Sequence, residues 1–554
     1  MQLKKDLLKN TLIPLILLIA VIFAGAVKDH DFEISKNLDI FATLFKQLNS
    51  NYAEEINPGA LTKEAIDAML SSLDPYTVYI PEAHVEDYRY MTAAQLGGVG
   101  MTIRKRDDHF EVYELIEDAP AHKAGIIIGD IILDIDGHML TGKSENDVNT
   151  LINGQSGTSI SFTMKNPVSE KIYTKKIARV DIKPGNIPYY DMLSNDIAYI
   201  KLNSFTQTAS ADIKKSWLTL REKHSLNGLI IDLRGNGGGL LMEAVKIVNF
   251  FVNQNEPVVS TRGRIAKRNI TYQTTASPID LSVPLIILID RKSASASEIV
   301  AGALQDLDRA VVIGQPSFGK GLVQNIVPLT YNAQLKVTVA KYYIPSGRCI
   351  QAIEYFKNNQ HNQPPDSLLK KYTTRNQRPV YEGRGIAPDI EVEKPPMSNI
   401  ASALTEQHLL FDFATLFRNN NTAIDPPDKF SINQHIWNDF LLFIKQKDYS
   451  YQTKTEKLLS QITETAKEEA YYNLIKPQIE HLNNAVATEK ANDIERHKEE
   501  IQNLLLKEIV YRYYYEKGHI IATLSHEKEI DESIKIILNS TTTMSLLAGG
   551  YTSK

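Results

Sequence analysis

Pro284–Gln324 reads PLIILIDRKSASASEIVAGALQDLDRAVVIGQPSFGKGLVQ. The apolar run Leu285–Ile289, closed by Asp290, has the length and composition of a buried strand. A turn of alternating serine and alanine follows. From Glu298 onward, apolar Ile299, Ala303 and Leu307 recur at helical spacing. Ala310–Ile313 is a second buried strand, ending at Gly314. Strand, turn, helix and strand predict an α/β layer, and in such layers sites collect at the carboxyl ends of strands. Ser293, Ser295 and Ser297 fall at one such end, and Lys320 stands between two glycines just beyond the next strand.

A serine hydroxyl is a weak nucleophile until a neighbouring base takes its proton. A lysine can be that base if desolvation lowers its pKa and leaves the amine neutral. Gly319 and Gly321 give Lys320 a tight backbone path, while Phe318 and Leu322 supply apolar walls. Gln324, a neutral amide, would orient the amine without fixing its charge as a carboxylate would. The N–H of Ala296, after the middle serine, suits an oxyanion. On residue types alone a second reading stands level: serines capping a helix, with a solvated lysine in a loop.

The chain has 554 residues, too many for one core, so several domains are expected. Its net charge of −5, with interspersed signs, argues against a nucleic-acid-binding face. Cys349 is the sole cysteine, which excludes an intrachain disulfide. Lys4 and Lys5 precede the apolar stretch Leu12–Val27, and Ala24-Gly25-Ala26 offers a cleavage site. Residues 1–30 therefore read as a signal peptide or membrane anchor, which places the rest outside the cytoplasm, in a bacterial periplasm.

Residues 31–95 read as a helical region with no catalytic pattern, broken by the prolines of Ser72–Pro81. Residues 96–180 alternate as strands around Ala124-Gly-x3-Gly129-Asp-x-Ile-Leu-x-Ile-Asp-Gly137. This segment resembles a PDZ domain in its circularly permuted bacterial form, with Ile128 where proline is common. The resemblance implies that a peptide's C-terminus adds as a strand, its carboxylate held by the loop Gly98, Val99, Gly100 and Met101.

Residues 181–399 form the α/β core. Ile197–Leu202 reads as a strand, Ser204–Glu222 as an amphipathic helix, and Gly228–Arg234 as a buried strand. The loop Gly235-Asn-Gly-Gly-Gly239 then leads into a helix from Leu240 to Phe251. Leu240 stands where a dinucleotide fingerprint needs its last glycine, so that motif fails. Gly314-Gln-Pro-Ser-Phe-Gly-Lys320 imitates a P-loop, but Gly321 replaces the magnesium-binding hydroxyl and a strand follows instead of a helix. The histidines show no metal-ligand spacing. Lys357–Asp366 reads as a polar surface excursion. Residues 400–554 read as a charged helical region, with Lys457–Tyr472 and Glu489–Tyr515 periodic. There Tyr511–Tyr515 fits either core or an oligomer contact.

Asp232-Leu-Arg-Gly-Asn-Gly-Gly-Gly239, Ser293-Ala-Ser-Ala-Ser-Glu298 and Phe318-Gly-Lys-Gly-x-Val-Gln324 together resemble the carboxy-terminal processing, or tail-specific, serine proteases. The resemblance runs from about residue 35 to 395 and includes Pro345–Arg348 and Gly385–Asp389. It implies a crotonase/Clp-type α/β protease core with an inserted PDZ domain, an N-terminal helical region and a C-terminal helical domain. Matched position by position, the nucleophile falls on Ser295, the general base on Lys320 and the supporting amide on Gln324. The oxyanion N–H groups fall on Ala296 and on Gly237 or Gly238. Glu298 and Asp306 match structural positions, while Gln315 and Ser317 replace the commoner Glu and Thr. No metal or cofactor is implied. The implied partners are proteins with exposed, apolar C-terminal tails, with membrane contact through the N-terminal segment, and a homo-oligomer is compatible. A reading from another class is a peptide-binding or chaperone protein that uses the PDZ segment without hydrolysis.

Overall fold

The computed structural model describes residues 31–82, 97–182, 185–352 and 369–549. The expected export segment 1–30 and the polar excursion 357–366 lie outside the described residues. Among the described residues no helix is long and apolar enough to cross a membrane.

The chain divides into two compact units, Met1–Tyr79 and Ile80–Lys554. The first holds a helix over 31–51 and a second over Pro58–Ser71. Asn57 caps the second by accepting the Ala60 N–H, and Pro58 suits its first turn. Phe32, Leu38 and Leu44 are more than half exposed.

The second unit opens with an antiparallel sheet whose strands lie in the order Met101–Arg106, His109–Leu115, Ile131–Ile135, Ser159–Lys165 and Ile172–Ala178. Ile160, Phe162 and Met164 alternate inward, as a half-buried strand requires. The helix Glu145–Ile152 is set by a capping box between Ser144 and Asp147.

The core is a six-stranded sheet in the order Tyr189–Leu193, Ile197–Lys201, Gly228–Asp232, Leu285–Ile289, Val311–Gly314 and Ile390–Glu391. The first pair is antiparallel and the rest are parallel. Both faces are covered, which is why these strands read as unbroken apolar runs. On one face Ile200, Ile231 and Ile287 meet the helices Ala209–Lys223, Leu241–Asn249 and Ala296–Asp306. On the other, Tyr199, Ile230, Leu288 and Ile313 meet Ile520, Leu524, Ile530 and Ile537 from the end of the chain. Lys320 leads into a hairpin, Leu322–Pro328 and Gln334–Tyr343, that belongs to a second sheet with Pro257–Arg262 and Ile270–Gln273.

Three expectations need correction. The helix read from Ser204 begins only at Ala209, because Phe205 donates its N–H to the Gly238 carbonyl and accepts the Leu240 N–H. The helix read over Lys457–Tyr472 ends at Glu468, where Ala470 turns at positive φ, and a new one spans Tyr472–Ala491. The run Glu489–Tyr515 is split by the caps at Asn492 and His497, and the long helix Lys498–Leu524 is itself broken at Tyr515 (φ 51°, ψ −152°).

Within Tyr511–Tyr515 the tyrosines are half-buried and Arg512 is buried. Tyr511 and Tyr515 pack on the cluster of the first sheet, and Arg512 is buried with its guanidinium over the Phe411 ring. Arg106 forks onto Asp412 at 2.5 and 2.7 Å, and Asn166 donates to Asn419 at 2.9 Å. The C-terminal helices thus grip the 101–178 sheet as well as the core.

Candidate active site

The Leu285–Ile289 strand delivers the chain to Asp290, whose Oδ1 accepts the N–H groups of Gly235, Lys292 and Ser293 at 2.9–3.0 Å. Of the three serines that follow, two are fully buried and committed. Ser293 Oγ donates to the Leu233 carbonyl at 2.8 Å, and Ser297 Oγ to that of Asn236 at 2.9 Å. Ser295 alone is partly exposed. Its backbone sits at φ 56°, ψ −111°, a conformation L-residues rarely adopt, and the helix Ala296–Asp306 starts at the next residue. A strained strand-to-helix turn of this kind holds one side chain proud of the sheet.

Glu298, fully buried one turn into that helix, ties the turn to the lysine loop. Its Oε2 accepts the N–H of Ser295 at 2.8 Å and that of Lys320 at 2.9 Å. Its Oε1 accepts the Gly319 N–H at 2.7 Å and the Ser317 hydroxyl at 2.5 Å. One oxygen therefore bridges the backbones of residues 295 and 320, which the sequence separates by a helix and a strand. Burial pushes this carboxyl up to about 7, with the four donors pulling against it.

Lys320 is half-buried, and its pKa is lowered by desolvation first and by Lys336 second, with Glu298 opposing. Gln324 lies on the adjoining strand opposite Thr338 and donates Nε2 to Thr338 Oγ1 at 3.3 Å. Gly319 and Gly321 are needed by the close approach of Ala352 and Gln351, where a Cβ would come within 2.2 and 2.3 Å of the nearest atom.

The glycine loop 235–239 meets the Ser293–Ser297 turn directly. A Cβ on Gly238 would stand 2.8 Å from Ser295 Cβ and 2.9 Å from the Ala296 nitrogen. Gly238 has φ +101° and gives its N–H to Asn236 Oδ1 at 2.8 Å. Around Gly237 no atom comes within 4 Å of an added Cβ. Asn236, fully buried, accepts the Ala294 N–H and the Ser297 hydroxyl on its carbonyl and donates Nδ2 to Leu202 O. Residue-type reasoning missed this role; an asparagine inside a glycine run was the available signal.

Ahead of the loop, Asp232 and Arg234 form a buried ion pair with bonds of 3.0 and 2.6 Å, and Tyr199 donates to Asp232 at 2.7 Å. Burial pushes the Asp232 carboxyl up, but Arg234 and Lys201 outweigh it and hold the group well below the usual range. Arg234 also reaches Glu527 at 2.6 Å. Asp306 is bound to buried Arg348 at 2.9 Å, remote in bonding from the serine turn.

Next to the first sheet in sequence, Gly97–Gly98 pair with Val180–Asp181 as a separate two-stranded ribbon, and the Val99 and Gly100 carbonyls accept the N–H groups of Ala121 and Ile116. Met101 opens an edge strand, and Glu145 of the neighbouring helix accepts the Lys105 N–H at 3.3 Å. Among the described residues no group of three or more His, Cys, Asp or Glu side chains is placed to hold a metal ion.

The fold and site define a serine-type peptidase with an inserted PDZ domain. Peptidase family S41 matches residues 196–356, a PDZ domain matches 111–166, and the C-terminal helical domain of probable PDZ-proteases matches 400–537. A carboxy-terminal-processing protease of Bartonella bacilliformis is 38% identical over 342 residues, covering 61% of this chain and 78% of that protein. The carboxy-terminal processing protease CtpB of Bacillus subtilis is 30% identical over 328 residues, covering 59% and 68%. A carboxyl-terminal-processing protease of Picosynechococcus is 36% identical over 289 residues, covering 51% and 68%. The chain belongs to the carboxy-terminal-processing serine protease family.

Proposed function

We propose that the chain is an endopeptidase working through a Ser295–Lys320 dyad on extracytoplasmic proteins, whose C-terminal tails the PDZ domain captures. The observation that carries this is the single Glu298 oxygen accepting the amides of both residues. It ties the backbone of the one partly exposed serine of the turn to that of a lysine whose charge burial disfavours, which supports the dyad reading.

Neutral Lys320 Nζ takes the Ser295 proton as Oγ bonds to the substrate carbonyl carbon. The oxyanion that forms is received by the Ala296 N–H and by the glycine loop. Since the Gly238 N–H is spoken for by Asn236, Gly237 is the donor assigned here. The C–N bond then breaks, and the amine leaves with the proton from Lys320. Water adds to the acyl-enzyme, its proton passes to Lys320, and Ser295 leaves protonated. Gln324, fixed by Thr338, steadies the lysine. The tail would lie along the Met101–Arg106 edge with its carboxylate at Gly98, Val99, Gly100 and Met101. The basic and apolar start of the chain supports export, with or without anchoring.

The test is cleavage of a model protein bearing an apolar C-terminal tail, with products mapped by mass spectrometry. Lys320→Ala and Ser295→Ala should each lose roughly three or more orders of magnitude in turnover while remaining folded. Near-parental cleavage by either variant refutes the dyad. Tail binding without any cleavage by the parent protein would leave the peptide-binding reading.

A further inference from the structure

The helices after residue 400 contribute carboxylates to both supports of the glycine loop. At its start, Arg234 is almost fully buried and is pulled from two sides, by Asp232 of its own strand and by Glu527 at 2.6 Å. Glu529 stands 3.6 Å away and pairs with Lys394 at 3.1 Å, which closes the cluster. The Arg234 carbonyl accepts Lys201 Nζ, so side chain and backbone of this residue are both held. Gly235 is next, and its N–H is fixed on Asp290. At the far end, Phe205 brackets Gly238–Leu240 through two backbone hydrogen bonds. Two residues before Phe205, Asn203 gives its side-chain amide to Glu516, the residue after the break in the long helix. Buried Asn236 fixes the middle of the loop on Leu202, Ala294 and Ser297, and the two supports hold its glycine-rich ends.

We infer that Glu527 is a positioning residue for the oxyanion loop, acting through Arg234, with Glu516 holding the second support through Asn203. This rests on the dyad reading above. Both carboxylates lie outside the protease segment and touch neither Ser295 nor Lys320. Their effect is to aim backbone N–H groups at the developing oxyanion. That interaction exists in the transition state and not in the bound substrate, so its loss lowers kcat and spares KM.

The experiment uses the full chain and a peptide substrate. It compares Glu527→Gln, Glu516→Gln and the distant control Glu456→Gln, whose carboxylate pairs with Lys490. It reads kcat, KM, thermal midpoint and the affinity of a peptide boronic acid, whose adduct on serine places an oxygen where the oxyanion forms. Glu527→Gln should lower kcat roughly ten- to hundredfold, short of losing a whole oxyanion donor, with KM unchanged and boronate affinity falling in parallel. The control should match the parent. Parental kcat and boronate affinity in Glu527→Gln overturn the inference, as does a loss that appears in KM alone. Should Glu527→Gln fail to fold, Glu516→Gln carries the same criteria, and failure of both to fold makes the carboxylates general supports and overturns it too. Ser295-dependent cleavage indifferent to both substitutions sinks this inference alone, whereas cleavage by Ser295→Ala sinks the dyad and this with it.

Discussion

Gly238 and Glu298 show how single residues set this site. Alanine at 238 would face a positive φ and contacts under 3 Å with Ala294, Ser295 and Ala296. The strain costs roughly 1–3 kcal/mol and displaces the serine turn. Gly238→Ala should therefore lose most peptidase activity, and Gly237→Ala, which keeps its N–H and meets nothing, should retain it; paired kinetics of the two variants check this. Glu298 carries a pH prediction. Its carboxyl holds a proton up to about 7 in the folded chain, against an ordinary 4.5. A raised carboxyl favours the folded state at acid pH, and that contribution drains away as pH climbs from 4.5 to about 7. Over the same window four donors gain a full carboxylate to bind, and the tie between residues 295 and 320 tightens. Glu298→Gln should flatten the pH dependence of stability between 5 and 7 and remove an ascending limb near 7 from kcat/KM; urea melts and pH–rate profiles read the two effects. The serine, lysine and amide proposed for the site could be picked out from the sequence because each lies in a local pattern. Which glycine faces the serine was not, because the contact joins loops some sixty residues apart.

Among elements, the strand–turn–helix of Leu285–Asp306 could be read directly, since burial on both faces leaves only apolar side chains in the strand. The start of the 209–223 helix could not. Phe205 gives both its backbone groups to the glycine loop, while the N–H groups of Asn203 and Thr206 go to the carbonyl and side chain of Asn186, partners far away in sequence. The break at Tyr515 was equally hidden, because the ring is held edge-on to His122 at 4.8 Å by packing that no local pattern encodes. The grip of the helix Leu409–Asn420 on the 101–178 sheet is a prediction at this scale. Its Arg106–Asp412 fork is partly exposed, with side chains 23% and 26% accessible, so it contributes about 1 kcal/mol, the upper end for such pairs. Asp412→Asn should raise amide exchange in Met101–Arg106 and in that helix together, leaving the core strands protected. Exchange confined to one partner would contradict a shared grip.

Across the whole second unit, the core sheet has one face covered by its own helices and the other by helices from beyond residue 500. Removing the latter would expose Ile230, Leu288, Val311 and Ile313, each an almost wholly buried side chain. A polypeptide stopped after residue 399 should thus be insoluble or molten and devoid of peptidase activity; near-ultraviolet circular dichroism and dye binding measure this. Helical periodicity after residue 400 announced amphipathic helices, but not which surface they would cover, because ion pairs such as Arg234–Glu527 join positions nearly three hundred residues apart.

The covering of that second face has a consequence for biosynthesis. A ribosome releases the serine and lysine segments long before it has made the helices that back their sheet. A nascent chain consequently carries the serine turn on a half-finished platform until the residues around 520–537 have been translated. Should the polypeptide stopped after residue 399 be inactive, as expected above, order of synthesis alone would act as a safeguard, keeping a peptidase inert until those helices are made.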